Sequence, residues 1–272
     1  METIGAHPAE PGASAMSAIA YAVSDTAVIA KRNLLRIPRQ PDLWVSFTIQ
    51  PIMFVLLFVY VFGGAIQTPG YDYVDFLIPG IVIQTMSFGG FVTAIGLSDD
   101  LRKGLVDRFR SLPMARSAVL GGRTLADVAT NAISIAVMVG VGLIVGFSFS
   151  SSPIEVIGGF ALCILFGYAF SWIFAFVALT TNSAEGAQAL GFMLIFPLTF
   201  ASSAFVPPES MPAAVQAFAD ANPFSTVVDA LRALWIDAPA GNDVWAAVAW
   251  SIGLIVVFAS LAVYRYRRAV SS

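Results

Sequence analysis

VIGGFALCILFGYAFSWIFAFVAL, residues 156–179, is 24 residues long and carries no charged side chain. About 20 apolar residues in a helix cross the hydrocarbon core of a bilayer, so this run reads as a membrane span. Comparable runs lie at roughly 45–66, 76–97, 125–147, 187–206 and 244–264. Six spans are therefore predicted, in an all-α integral membrane fold. The composition of the 272 residues agrees, at 58% hydrophobic and 11% charged. A soluble domain carries about a quarter charged residues, because its solvated surface needs them.

Charge predicts the orientation. Lys31, Arg32, Arg36 and Arg39 precede the first span, and Arg102, Lys103, Arg108, Arg110, Arg116 and Arg123 lie between the second and third. Arg265, Arg267 and Arg268 close the chain, leaving Arg232 alone between spans five and six. Basic residues stay on the cytoplasmic side, so both termini are expected in the cytoplasm. The opposite segments hold eight carboxylates: Asp72, Asp75, Glu155, Glu209, Asp220, Asp229, Asp237 and Asp243. Residues 1–16 have neither a basic start nor an apolar run, and read as a disordered cytoplasmic tail rather than a signal peptide.

Three further segments have their own pattern. In 18–37, Ile19, Val23, Ala27, Ala30, Leu34 and Ile37 share one helical face, opposite Lys31, Arg32 and Arg36. Such a helix lies in the headgroup region rather than crossing it. In the loop after span two, Leu101, Leu105, Phe109 and Leu112 line one side of a short helix, with Arg102, Lys103, Asp107, Arg108 and Arg110 around the rest. Asp99 and Asp100 suit the start of that helix, where carboxylates favour the dipole, and Pro113 stops it. Docking of a cytoplasmic partner and a merely solvated loop are equally compatible with this composition. The third segment, 206–243, alternates proline-marked turns with short apolar helices that would lie on or dip into the outer leaflet. Asp229 and Arg232 are spaced to pair there, a contact worth little if exposed.

Several kinds of chemistry have no residues to carry them. The single cysteine, Cys163, sits in an apolar run, and the single histidine, His7, lies in the tail, so no metal site is expected. No GxxxxGK[ST] loop surrounds either lysine. The chain is thus expected to bind no ATP, to hold no catalytic or cofactor residues, and to meet no nucleic acid. Among the carboxylates Asp127 comes nearest to mid-span, at the start of span three. Gln84 and other polar residues within spans suit either interhelical hydrogen bonds or a substrate path. Pro79-Gly80 and Pro197 predict kinks, serving packing or a hinge.

The order of these features is similar to that of the membrane subunit of a type-2 ATP-binding-cassette exporter. FPLTFASSAFVPPESMP (196–212) and NPFSTVVDALR (222–232) resemble that family's end-of-span-five motif and external helices. Their signature residues here are Phe205, Pro208, Met211, Pro212, Asn222, Pro223, Asp229 and Arg232. Asp107-Arg108-Phe109-Arg110-Ser111-Leu112-Pro113 resembles the family's cytoplasmic coupling loop. Gly104 followed by Leu105-Val106, and FVYVFGGAI at 58–66, resemble the daunorubicin/doxorubicin-resistance permeases in particular. The similarity covers roughly 43–268.

The resemblance implies a permease of the bacterial cytoplasmic membrane, working as a dimer with itself or a similar permease. Two copies of a separate ATPase subunit would bind ATP and magnesium. The loop containing Asp99, Asp100, Arg102, Gly104, Leu105, Asp107, Arg108, Phe109, Arg110 and Pro113 would couple to that ATPase. Segment 18–37 would be an elbow helix, and the helices between spans five and six would shape the exit. The expected cargo is an amphipathic, hydrophobic compound such as an anthracycline-like drug. A complex lipid or lipid-linked glycan is the alternative cargo, and a non-transporting membrane scaffold the alternative role. Phe54, Phe58, Phe88, Phe91, Phe196 and Phe200, with Gln84, are candidates for the substrate path, against ordinary packing or lipid contact.

Overall fold

The computed structural model describes residues 49, 51–64, 66, 68, 70–102, 116–181, 183–239 and 241–269, and all regular structure among them is helical. In chain order the helices are α1 (Pro51–Phe62, π-type over Phe58–Phe62), α2 (Tyr73–Arg102), α3 (Arg116–Ile144) and α4 (Pro153–Thr180). They continue with α5 (Ala184–Phe200), α6 (Ala213–Ala221), α7 (Pro223–Ile236) and α8 (Asp243–Ala269). Among the described residues four helices, α2, α3, α4 and α8, are long and apolar enough to cross a membrane. The expected elbow helix, 18–37, lies outside the described residues, as does the tail, 1–16.

The charge-free stretch that opened the sequence reading becomes the centre of the bundle. α4 begins sharply because Ser152 and Glu155 form a capping box and Pro153 takes the first helical position, where no N–H is needed. It packs along α2 on one side and α8 on the other, and touches α3, α5 and α7 as well. In its apolar window 67% is buried, against 17% in α8. α4 is thus a core helix, while α8 turns Trp245, Trp250, Ile252, Val256 and Val257 outward. An apolar exposed face of this kind suits hydrocarbon rather than water.

Two helix ends differ from expectation. The run at 187–206 is helical only to Phe200; Ala201 closes the last turn by donating to Pro197 O (3.0 Å), and 201–206 is non-helical. Serine and threonine hydroxyls compete with the backbone there, Thr199 bonding Ile195 O (2.9 Å) and Ser202 bonding Thr199 O (2.6 Å). At the other end, α2 continues through Asp99 and Asp100 to Arg102. No glycine or proline interrupts 97–103, so the two aspartates continue α2 instead of opening a new helix.

Candidate functional site

The 201–206 stretch turns inward, with Ser202, Ser203, Ala204 and Phe205 all buried. Buried non-helical backbone needs hydrogen-bond partners, since each orphaned group costs about 1–3 kcal/mol. Here α7 supplies them. Arg232, only 4% exposed, donates from NH2 to Ser203 O (2.7 Å) and Ala204 O (3.3 Å), and from Nε to Phe76 O on α2 (3.0 Å). Its NH1 meets Asp229 Oδ1 at 2.7 Å, and its guanidinium lies 3.5 Å from the centre of the Phe76 ring. Asp229 also accepts from Ser203 Oγ (2.9 Å), and Ser203 N–H donates to Ser225 Oγ (3.0 Å). The pair that would be worth little on a surface is instead half-buried and multiply bonded.

Asn222 performs the same service one turn earlier. Its side-chain oxygen accepts from Phe224 N–H (3.0 Å), capping α7 just before Pro223. Its amide donates to Leu198 O (2.7 Å) and Ala201 O (3.0 Å), carbonyls freed where α5 ends. On the facing helix, a Cβ at Gly80 would overlap the Ala204 carbonyl. That close approach is what glycine permits at this point of α2.

Of the helices expected to lie on or dip into a leaflet, α7 packs along the side of α4. Trp235 donates to Val156 O (3.3 Å) and its ring meets Phe160 at 5.2 Å. Phe224, at the other end, packs on Phe166 (5.4 Å) and Phe170 (5.8 Å). Those partners are about ten residues apart along α4, or ~15 Å, half the thickness of a hydrocarbon core. α6 stays at the periphery with Val215 and Phe218 exposed, preceded by Pro208 in a 3₁₀ turn and by Met211 and Pro212.

A second polar cluster joins α2, α3 and α4, and among the roles open to polar residues within spans it takes interhelical hydrogen bonding. Thr93 donates to Asp127, both buried, and Arg123 NH2 donates to Val92 O (2.9 Å). Asn131 lies so close to Gly89 of α2 and Gly167 of α4 that a Cβ at either would overlap its amide. Because α3 begins at Arg116, Asp127 lies about three turns inside the helix rather than at its start. The signal was present. Arg123, Asp127, Asn131 and Ser134 recur at steps of four and three, a polar stripe along one helix face.

The candidate path residues fall into two groups, not one. Phe54, Phe58, Phe205, Phe200 and Phe196 form a column in which successive rings are 4.4–5.9 Å apart and inclined by 18–29°. It links α1, the turn after α5, and α5 itself. Phe88 and Phe91 instead join Phe174 and Phe192 in a cluster of tilted and edge-on rings between α2, α4 and α5. Gln84 is buried on α2, one turn from Phe88. Of the coupling-loop residues, Asp99, Asp100 and Arg102 lie in α2, while Gly104, Leu105, Asp107, Arg108, Phe109, Arg110 and Pro113 lie outside the described residues.

Long apolar helices, with the buried turn after α5 and α7 packed against them, define a polytopic α-helical membrane protein. Comparison with known proteins is more specific. The chain belongs to the ABC-2 type transporter family, whose pattern matches residues 24–235. It is 35% identical over 248 residues to the daunorubicin resistance ABC transporter permease protein DrrB1 of Streptomyces coeruleorubidus, covering 91% of this chain and 88% of that protein. It is 27% identical over 248 residues to the probable doxorubicin resistance ABC transporter permease protein DrrC of Mycobacterium tuberculosis, covering 91% and 90%. A putative transport permease, ycf38 of Cyanophora paradoxa, is 23% identical over 219 residues, covering 79% and 75%. The chain is thus an ABC transporter permease related to drug-resistance permeases, as the motifs at 58–66, 107–113 and 196–232 implied.

Proposed function

We propose that this chain is the membrane half of an ATP-driven efflux transporter, exporting amphipathic hydrophobic compounds such as anthracycline-like drugs. The observation that carries this reading is the 35% identity to a daunorubicin resistance permease over nearly the whole of both chains. The chain crosses the bacterial cytoplasmic membrane six times with both termini inside, as the placement of thirteen of its fourteen basic residues favours. It pairs with itself or a similar permease, and each permease engages an ATPase subunit that binds ATP and magnesium.

Coupling runs through the segment from Asp99 to Pro113, between α2 and α3. The Thr93–Asp127 and Arg123–Val92 bonds tie those helices together just beyond it, so a push on the loop moves α2 and α3 as a unit. ATP binding then drives transport by stabilising one of two bundle arrangements over the other. The aromatic column and the Phe88–Phe91 cluster supply ring faces for a planar or cationic cargo.

Replacing Phe109 and Arg110 together by Asp is expected to abolish co-purification of the ATPase without lowering the amount of permease in the membrane. Full co-purification would refute the coupling assignment. Cells expressing both subunits are expected to accumulate less daunorubicin than cells with an ATPase-dead partner. Equal accumulation, with lipid rather than drug stimulating ATP hydrolysis, would transfer the cargo assignment to a complex lipid.

A further inference from the structure

α7 fills the slot beside α4 only as far as Phe224. Beyond that point the slot continues as a cavity of about 200 Å³, walled by Phe170, Phe174 and Val177 of α4, Leu194 of α5 and Leu254 of α8, with Phe224 as its roof. Phe224 itself covers Phe166 and Phe170, so beyond it the cavity follows α4 only to Val177, a length of about 10 Å at 1.5 Å per residue. That is about a third of the roughly 30 Å hydrocarbon core, room for part of one acyl chain. Its flank opens between α5 and α8, where Leu194 is 52% exposed.

We infer that this cavity is a binding site for one acyl chain of a membrane phospholipid, lying end to end with α7. The lining determines the ligand class. Among the described residues, Asn222 is the one polar side chain on the wall. Both of its amide hydrogens are committed to Leu198 O and Ala201 O, and its oxygen to Phe224 N–H. Drug-sized ligands are held by a few convergent polar groups in an otherwise apolar pocket, and none is available here. Apolar cavities of this size exclude water and accept hydrocarbon. An extended hydrocarbon chain fits and needs no polar partner. The site belongs to the folded permease itself and does not depend on the cargo or on ATPase recruitment.

The test uses the full chain in vesicles of phosphatidylethanolamine and phosphatidylglycerol. A trace of phosphatidylethanolamine carries a diazirine along one acyl chain, and adducts are mapped on peptides after illumination. Adducts are expected on α4 between Phe166 and Val177 as well as on the outward face of α8. Leu254→Trp, which fills the cavity, should lower the α4 adducts at least about fivefold, a change of about 1 kcal/mol in occupancy, and leave the α8 adducts unchanged. Leu194→Trp is a second filling variant in case the first is poorly folded, and Val256→Trp, on the outward face, should change nothing on α4. Equal α4 labelling in the filled variants would overturn the inference. So would loss of α4 adducts on adding daunorubicin, which would make the cavity a cargo site, or cross-linking from position 254 to residues 18–37 of the same chain.

Discussion

Arg232 and Asp127 are both ionisable residues sealed in an apolar bundle, yet they bond different things. Arg232 reaches three backbone carbonyls, two of them in the non-helical stretch after α5, where no helical ladder can satisfy them. Asp127 accepts from the Thr93 side chain on α2, which stays helical past Pro79 through Thr93 to Arg102 without it. At the hairpin end, polar side chains replace missing secondary structure. At the loop end they join two intact helices. The first role is demanded by the fold, since no water is at hand to repair an open backbone within hydrocarbon. The second ties two helices to each other, and its loss leaves the backbone of each intact.

Substitutions can break or sharpen this contrast. Arg232→Leu should be the most damaging, at about 3–5 kcal/mol, because it strands Asp229 and orphans buried carbonyls together. Thermal unfolding of detergent-purified protein measures this, and a wild-type melting temperature would dissolve the contrast. Next comes a matched glycine pair. Gly80→Ala meets the Ala204 backbone and should cost about 1–3 kcal/mol, whereas Gly96→Ala meets only the movable end of Arg123 and should cost under about 1 kcal/mol. If the two variants melt alike, close backbone approach is not what the hairpin end requires. Smallest is Thr93→Val, expected to cost about 1 kcal/mol in stability while loosening the α2–α3 tie. Its decisive readout is the ratio of drug transported to ATP hydrolysed in vesicles, which should fall although the protein stays folded.

Some of this was legible from the chain alone. The helical class followed from hydropathy, and α4 extends the 156–179 run by only a few residues at each end. The 196–232 motif was visible as a family signature, but its mechanics were not. Serines at 202, 203 and 225, together with Asn222 and Arg232, look like an ordinary polar loop until the chain doubles back and brings them within hydrogen-bond reach. Asp127 and the polar residues within spans were legible as candidates for interhelical hydrogen bonds, but which helices they join was not, because hydropathy does not say which faces meet. The aromatic residues were noticed in the sequence, but not their division into two groups. Phe205 bridges Phe58 and Phe200 only because the turn after α5 folds inward, over sequence separations that no local pattern encodes.

Amino-acid composition and spacing by themselves determined that this protein lives in a bilayer, that its regular structure is helical, and which family it joins. Those properties depend on transfer energies and on side chains a few residues apart. The depth of α7, the cage around Arg232, the separation of two aromatic groups and the hydrocarbon cavity beneath Phe224 were decided by tertiary structure. Each depends on which distant segments satisfy an interrupted backbone, and that pairing exists only once the helices have packed.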